Sequence, residues 1–219
     1  DIDSENCTIS MRWGDKIPYK DLTLVHGVGN SANAAVAASR LGLKSALVSN
    51  IGGDDFGKQI LKNFKRERVD ARFVKTHRGV KTNYHFVLSF QAERTILVKH
   101  EHYEYVLPKG VEKARALYLS SLGGGTEDYH DALADVLEKN PNIFLAFQPG
   151  TFQIKLGADR LLRIYRRSNL FFANKEEYQR ILGIQNSDDI PDLLRRMASL
   201  GVKVPVLTDG RNGAYALEH

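Results

Sequence analysis

Cysteine occurs once in the 219 residues, as Cys7. A single thiol excludes an intrachain disulfide framework and suits a reducing compartment, so a cytoplasmic location is expected. Long apolar runs are missing too. None approaches the ~20 residues that a membrane-spanning helix needs, and no signal-peptide pattern opens the chain. Charge of one sign is scarce: 31 Lys and Arg stand against 26 Asp and Glu, a net +5. That mild excess slightly favours an anionic ligand, but without a basic surface interleaved with aromatics it is no nucleic-acid signature. There is no Gly-x-Ser-x-Gly elbow and no His-Glu-x-x-His, so hydrolase chemistry has no support. Repeats and low-complexity tracts are absent as well. The chain opens at Asp1 without a methionine and closes at His219, and it reads as the interior of a longer protein.

What remains is the composition of an ordinary globular domain, 42% hydrophobic and 26% charged, long enough to bury one substantial core. From about residue 45 strand-like and helix-like segments alternate. Short apolar runs fall at residues 45–50, 116–119, 143–147, 169–173 and 202–208. Helical periodicity falls at 54–68, 127–139, the arginine-studded stretch ending near Arg167, 176–182 and 192–200. This order predicts a mostly parallel sheet covered by helices on both faces, an α/β three-layer αβα domain. Two regions depart from it. Residues 8–13 and 83–89 alternate like half-exposed antiparallel strands, the second joined to 94–98 by the polar turn Gln91-Ala92-Glu93. A small antiparallel lid is therefore expected from residues 8–24 and 82–100.

Several groups invite chemistry. Arg160, Arg163, Arg166 and Arg167 alternate with Leu161, Leu162, Ile164 and Tyr165, which reads as a solvated helix face or, failing that, a phosphate patch. Gly123-Gly124-Gly125-Thr126 lies between a strand and a helix; lacking the lysine of a P-loop, it reads as a ligand-proximal loop or a flexible one. His100-Glu101-His102 places two imidazoles on one face, without an evident third metal ligand.

Gly27-Val28-Gly29-Asn30 runs into an alanine-rich helix that closes on Arg40-Leu41-Gly42. As a dinucleotide fingerprint it lacks its second half, because the next strand ends in Asn50 rather than an acid. Three more segments follow in order: Gly52-Gly53-Asp54-Asp55-Phe56-Gly57, Asn174-Lys175-Glu176-Glu177, and Thr208-Asp209-Gly210-Arg211-Asn212-Gly213-Ala214. Asn174 and Glu177 also fit a plain capping box, and Thr208 to Gly213 fits a hairpin turn.

With these four segments in register the chain resembles the ribokinase (PfkB-type) family of sugar and nucleoside kinases, from about Thr23 to Ala216. The resemblance implies ATP-dependent phosphoryl transfer to a hydroxyl of a small-molecule sugar or nucleoside, with Mg2+ as cofactor and no nucleic-acid or membrane partner. It assigns Gly29 and Asn33 to the acceptor. Asn174, Thr208, Gly210 and Gly213 would meet the nucleotide or its phosphates, and Glu177 would hold Mg2+ through water. It also leaves room for a homodimer through the lid strands. The family's catalytic base and anion hole come from a Gly-Ala-Gly-Asp segment that this sequence does not contain. That base is expected downstream of His219, no catalytic residue is assigned within the chain, and these 219 residues alone are expected to be inactive. Val28 and Gln148-Pro149-Gly150 depart from the family pattern and leave the acceptor's identity open. Two readings stand beside the kinase: a sugar- or nucleotide-binding regulator of the same fold, and an NAD(P)-dependent oxidoreductase using Gly27-Val28-Gly29.

Overall fold

The computed structural model describes residues 8–90 and 93–218. Cys7, the 91–92 turn and His219 lie outside them. The first helix, α1 (Asn30–Arg40), opens at Gly29 with no side-chain cap. Strand β1 (Ser49–Gly52) then leads into α2 (Asp55–Arg66) and β2 (Val74–His77), which pairs with β1 in parallel. Here Ala35, Leu47, Ile51, Phe64, Val69 and Val74 form a small core. The Gly-Asp-x-Phe-Gly segment is a buckle. The Asp54 carboxylate caps α2 at the Gly57 N–H and also accepts from the Thr82 hydroxyl at 2.6 Å and the Thr82 N–H at 2.9 Å. The backbone closes around it so tightly that a Cβ at Gly57 would stand 2.2 Å from the Gly52 carbonyl oxygen.

An antiparallel hairpin follows, β3 (His85–Phe90) with β4 (Glu93–Val98), in the register Phe86 opposite Leu97 and Val87 opposite Ile96. Both of its faces carry exposed apolar side chains.

The rest is a five-stranded sheet: β5 (Ala116–Leu119), β6 (Phe144–Phe147), β7 (Leu170–Asn174), β8 (Val204–Thr208) and β9 (Ala214–Ala216), side by side in that order. The first four are parallel, and β9 returns antiparallel to β8. Between them come α3 (Glu127–Lys139), α4 (Thr151–Leu156), α5 (Leu162–Arg167), α6 (Lys175–Leu182) and α7 (Ile190–Ser199). These helices pack their apolar side chains into one core with the sheet. Burial alternates accordingly: Leu145, Phe147, Phe171, Ala173 and Leu207 are closed off, whereas Phe144, Phe172, Val204 and Val206 are more open. The fold is thus mixed α/β, with a mostly parallel sheet, helices and a small antiparallel sheet.

Two expectations need correction. Residues 8–24 form no strand among the described residues; their alternating side chains find no neighbouring strand to complete a ladder, and most stand exposed. The arginine-studded stretch is two short helices rather than one, broken at Gly157, whose φ of 88° is left-handed. Its arginines lie on the solvated surface, as expected, and two of them are paired. Arg160 grips Asp131 with two bonds of 2.6 Å, and Arg163 bonds Glu138 and Asp135 on α3.

Candidate functional site

Parallel strands end on a common edge, and in open α/β sheets that edge is where ligands sit. Asn174 closes β7 and Thr208 closes β8, and the two face each other in the strand register. Each is exposed. Asn174 Oδ1 accepts from the Glu177 N–H at 2.8 Å while Glu177 Oε2 accepts from the Asn174 N–H at 2.9 Å. The capping box is therefore formed. It occupies one oxygen of each side chain, and Glu177 Oε1 accepts no hydrogen bond among the described residues. Beyond Thr208 the chain turns through a short 3-10 segment, Gly210–Asn212, into β9, so this loop is a hairpin turn. Gly210 (φ 50°) and Gly213 (φ 100°) are both left-handed, and open space surrounds each. Lys175 braces the turn, its ammonium 3.0 Å from Asp188 and 3.8 Å from Asp209; these carboxylates raise its pKa, Asp188 foremost.

At the other end of the sheet α1 docks on the tip of β5. Ser31 Oγ lies 2.5 Å from Ser120 Oγ, and Asn30 Nδ2 donates to Ser121 Oγ at 3.2 Å. Gly29, immediately before them, has φ 145° and no atom within 4 Å of where a Cβ would stand. Asn33 points elsewhere. It lines a groove of about 1090 Å³ with Gly27, Val28, Val36, Arg40 and Asn63, between α1 and α2. The structure thus brings Gly29 to the tip of β5 through its neighbours, Asn174 together with Thr208, and leaves Asn33 one helical turn away from that tip.

Gly27 does a different job: its φ is 71°, and a Cβ there would press the Phe64 ring at 3.1 Å. The fingerprint context is missing, because residues 22–28 form no strand ahead of α1. This removes the strand-turn-helix unit on which the oxidoreductase reading depends.

The spacing of motifs did not reveal Ser31, Ser120, Asn30 and Ser121. Their only signal was a pair of serines at the end of an apolar run. The triple-glycine loop sits beside aromatic rings, with Gly123 near the Tyr105 hydroxyl and Gly124 near Phe152. His100 lies edge-on to both His85 and Phe152, at ring distances of 5.5 and 6.0 Å, and Glu101 pairs with Lys99. Burial first, then the neighbouring His100, lowers the His85 pKa.

This arrangement, a parallel sheet with polar strand ends and glycine turns along one edge, defines an open α/β class in which ligands sit at the strand ends. The chain belongs to the pfkB family carbohydrate kinases, which it matches over residues 17–219. It is 24% identical over 216 residues to a ribokinase of Haemophilus influenzae, an alignment covering 92% of this chain and 66% of that protein. It is 22% identical over 218 residues to an ATP-dependent 6-phosphofructokinase of Thermoanaerobacterium thermosaccharolyticum, covering 94% and 66%. The chain thus spans just under two thirds of the length of these relatives. Among solved structures, a fructokinase of Vibrio cholerae in fructose-, ADP- and calcium-bound form superposes with a TM-score of 0.69 at 20% identity, covering 87% of this chain and 65% of that one.

Proposed function

We propose that the protein transfers the terminal phosphoryl group of ATP to a hydroxyl of a sugar or nucleoside. The observation that carries this reading is the pairing of Asn174 with Thr208 at the sheet edge on which α1 also docks, through Ser31 on Ser120. The donor nucleotide lies along Thr208, Gly210 and Gly213, where nothing obstructs a close approach to the backbone. Asn174 reaches a phosphate or its water, and Gly29 meets the acceptor at the tip of β5, with Asn33 one turn further along α1 facing the groove beside it. Mg2+ suits the donor set. The described residues hold no cluster of three His, Cys, Asp or Glu, and a cation that keeps its waters needs only one carboxylate such as Glu177. When bound, Mg2+ neutralises charge on the phosphates. The general base belongs to a Gly-Ala-Gly-Asp segment, a run these 219 residues do not contain. Turnover by these residues alone is therefore expected to be slight.

The test is thermal unfolding with and without ligands. ATP with Mg2+, and one of D-ribose, D-fructose or adenosine, should each raise Tm; a ligand at a hundred times its Kd adds about 2.7 kcal/mol. Stabilisation by NADH and not by ATP would overturn the reading. Binding of both ligands by the longest natural form of the protein, with no phosphoryl transfer, would favour the regulator. The exposed Phe86, Leu97 and Val87 on the hairpin support a homodimer through these strands. Sedimentation of Leu97→Asp against the unaltered chain tests that.

A further inference from the structure

A buried polar relay crosses the molecule beneath the acceptor end of the site. His130 on α3 and Gln153 on α4 are both 1% exposed. His130 Nδ1 lies 2.6 Å from the Thr126 carbonyl oxygen, which can only accept, so the hydrogen-bond network assigns the proton to Nδ1. Nε2 is then the acceptor, and Gln153 Nε2 donates to it at 3.0 Å. The second Gln153 N–H donates to the Ser120 carbonyl at 3.2 Å. Gln153 Oε1 in turn accepts from the Gly150 N–H at 2.8 Å and the Leu122 N–H at 3.3 Å. Every polar capacity of this amide is used, and its orientation is fixed by the imidazole.

Its partners are the two turns that follow β5 and β6. These turns touch so closely that a Cβ on Gly150 would stand 2.3 Å from Ser121 Cβ. From Ser120 and Ser121 the chain of contacts continues to Ser31 and Asn30, the first turn of α1.

We propose that His130 and Gln153 are positioning residues, setting the turn 120–122 and, through Ser31, the start of α1 against which the acceptor binds. The proposal rests on the acceptor reading above for its functional consequence, but not for its structural one. A doubly protonated His130 presents an N–H to the Gln153 N–H2. Gln153 must then rotate, losing its bonds to Gly150, Leu122 and Ser120. Burial, the dominant influence, disfavours that protonated state, and Arg160 adds to it. The Thr126 carbonyl, Glu127 and Asp131 oppose them, Asp131 being already paired with Arg160. Tyr129 is the aromatic neighbour, 6.4 Å away between ring centres. The folded value therefore lies below the ordinary imidazole value of about 6.5, and the relay is opposed by acidification below that value.

Hydrogen exchange and calorimetry on the full chain test this. Gln153→Leu removes all four bonds, whereas His130→Gln keeps an acceptor for Gln153 and cannot titrate. In Gln153→Leu, amides at 120–122 and 30–33 should exchange faster while those of α6 and α7 keep their protection. Affinity for D-ribose or D-fructose, whichever the unaltered chain binds, should fall about tenfold or more with that for ATP and Mg2+ unchanged. Sugar affinity should weaken as pH falls below about 6.5 in the unaltered chain and stay flat in His130→Gln. If Gln153→Leu does not fold, Ser31→Ala breaks only the last link and should still loosen 30–33. Unchanged exchange at 30–33, equal loss of both ligands, or a pH slope that survives in His130→Gln would overturn the proposal. A chain that binds none of D-ribose, D-fructose and adenosine overturns the kinase reading instead, and exchange at 30–33 still decides the relay.

Discussion

The five-stranded sheet and its helices gather twenty buried apolar residues into one cluster, with Leu145, Phe147, Phe171, Tyr178, Leu193 and Met197 fully closed off. The region around β1, β2, α1 and α2 gathers six. Nearly all the exposed large apolar side chains also lie before residue 107, among them Trp13, Leu24, Val25, Leu41 and Leu97. One region is held by volume, the other by a few polar buckles. Asn174 and Thr208, proposed for the nucleotide, stand on the first kind of ground, and Gly29 and Asn33, proposed for the acceptor, on the second. That division lets the region around α1 rearrange without disturbing the ends of β7 and β8.

The largest expected effect breaks the well-packed side. Phe171→Ala removes a ring packed against Phe147, Tyr165 and Tyr178, and truncation of such a residue costs about 3–5 kcal/mol. Denaturant midpoints should fall accordingly, and ATP binding should be lost with the fold.

The next effect belongs to the other region. Gly57→Ala drives a methyl into the Gly52 carbonyl, and overpacking of this kind costs about 1–3 kcal/mol. Exchange protection should drop at residues 52–57 and 82 while β7 and β8 stay protected; uniform loss across both regions would mean they unfold as one. Acid attacks the same buckle. Burial works to raise the Asp54 pKa, but the hydroxyl and amide of Thr82 and the amide of Gly57 outweigh it, so the folded value is lowered. This contribution is fully present above the unfolded value of about 3.9 and disappears as pH falls through the folded value. Titrating from pH 6 to pH 2 should release residues 52–57 before the body in the unaltered chain, and Asp54→Asn should remove that step.

The same contrast governs how much could be read in the sequence. Strands β5 to β8 and helices α3, α6 and α7 were legible to within a residue or two, because burial on one face imposes a clean period and because Asn174 is a recognisable cap. Residues 8–13 alternate just as clearly yet form no strand, since alternation specifies a face and not the strand that pairs with it. Along the site edge, Asn174, Thr208 and their glycines were visible as motifs. The Gln153–His130 bond was not, because its partners stand 23 residues apart and neither belongs to a spaced pattern.

A smaller effect separates capping from ligand contact. Asn174→Ala removes the N-cap of α6, worth about 1 kcal/mol, and Asn174→Asp keeps an accepting oxygen there while adding a negative charge. If the side chain serves only the helix, Asp restores both stability and ATP affinity. If it also meets a phosphate, Asp restores stability while repelling the nucleotide, and ATP affinity stays low.

The smallest effect has the opposite sign. Even the well-packed side contains an unmet polar group: the Tyr178 hydroxyl is buried without a hydrogen-bond partner among the described residues. Burial also pushes its pKa up, so the phenol stays protonated and its proton has nowhere to go. An unsatisfied buried hydroxyl costs about 1–3 kcal/mol. Tyr178→Phe keeps the ring that packs against Phe171 at 5.7 Å and discards only that cost. Stability should rise by about 1 kcal/mol, less than the full cost because the phenyl ring leaves a small void where the oxygen stood. A loss of stability would show instead that the hydroxyl has a water partner, and that this region too depends on a polar contact.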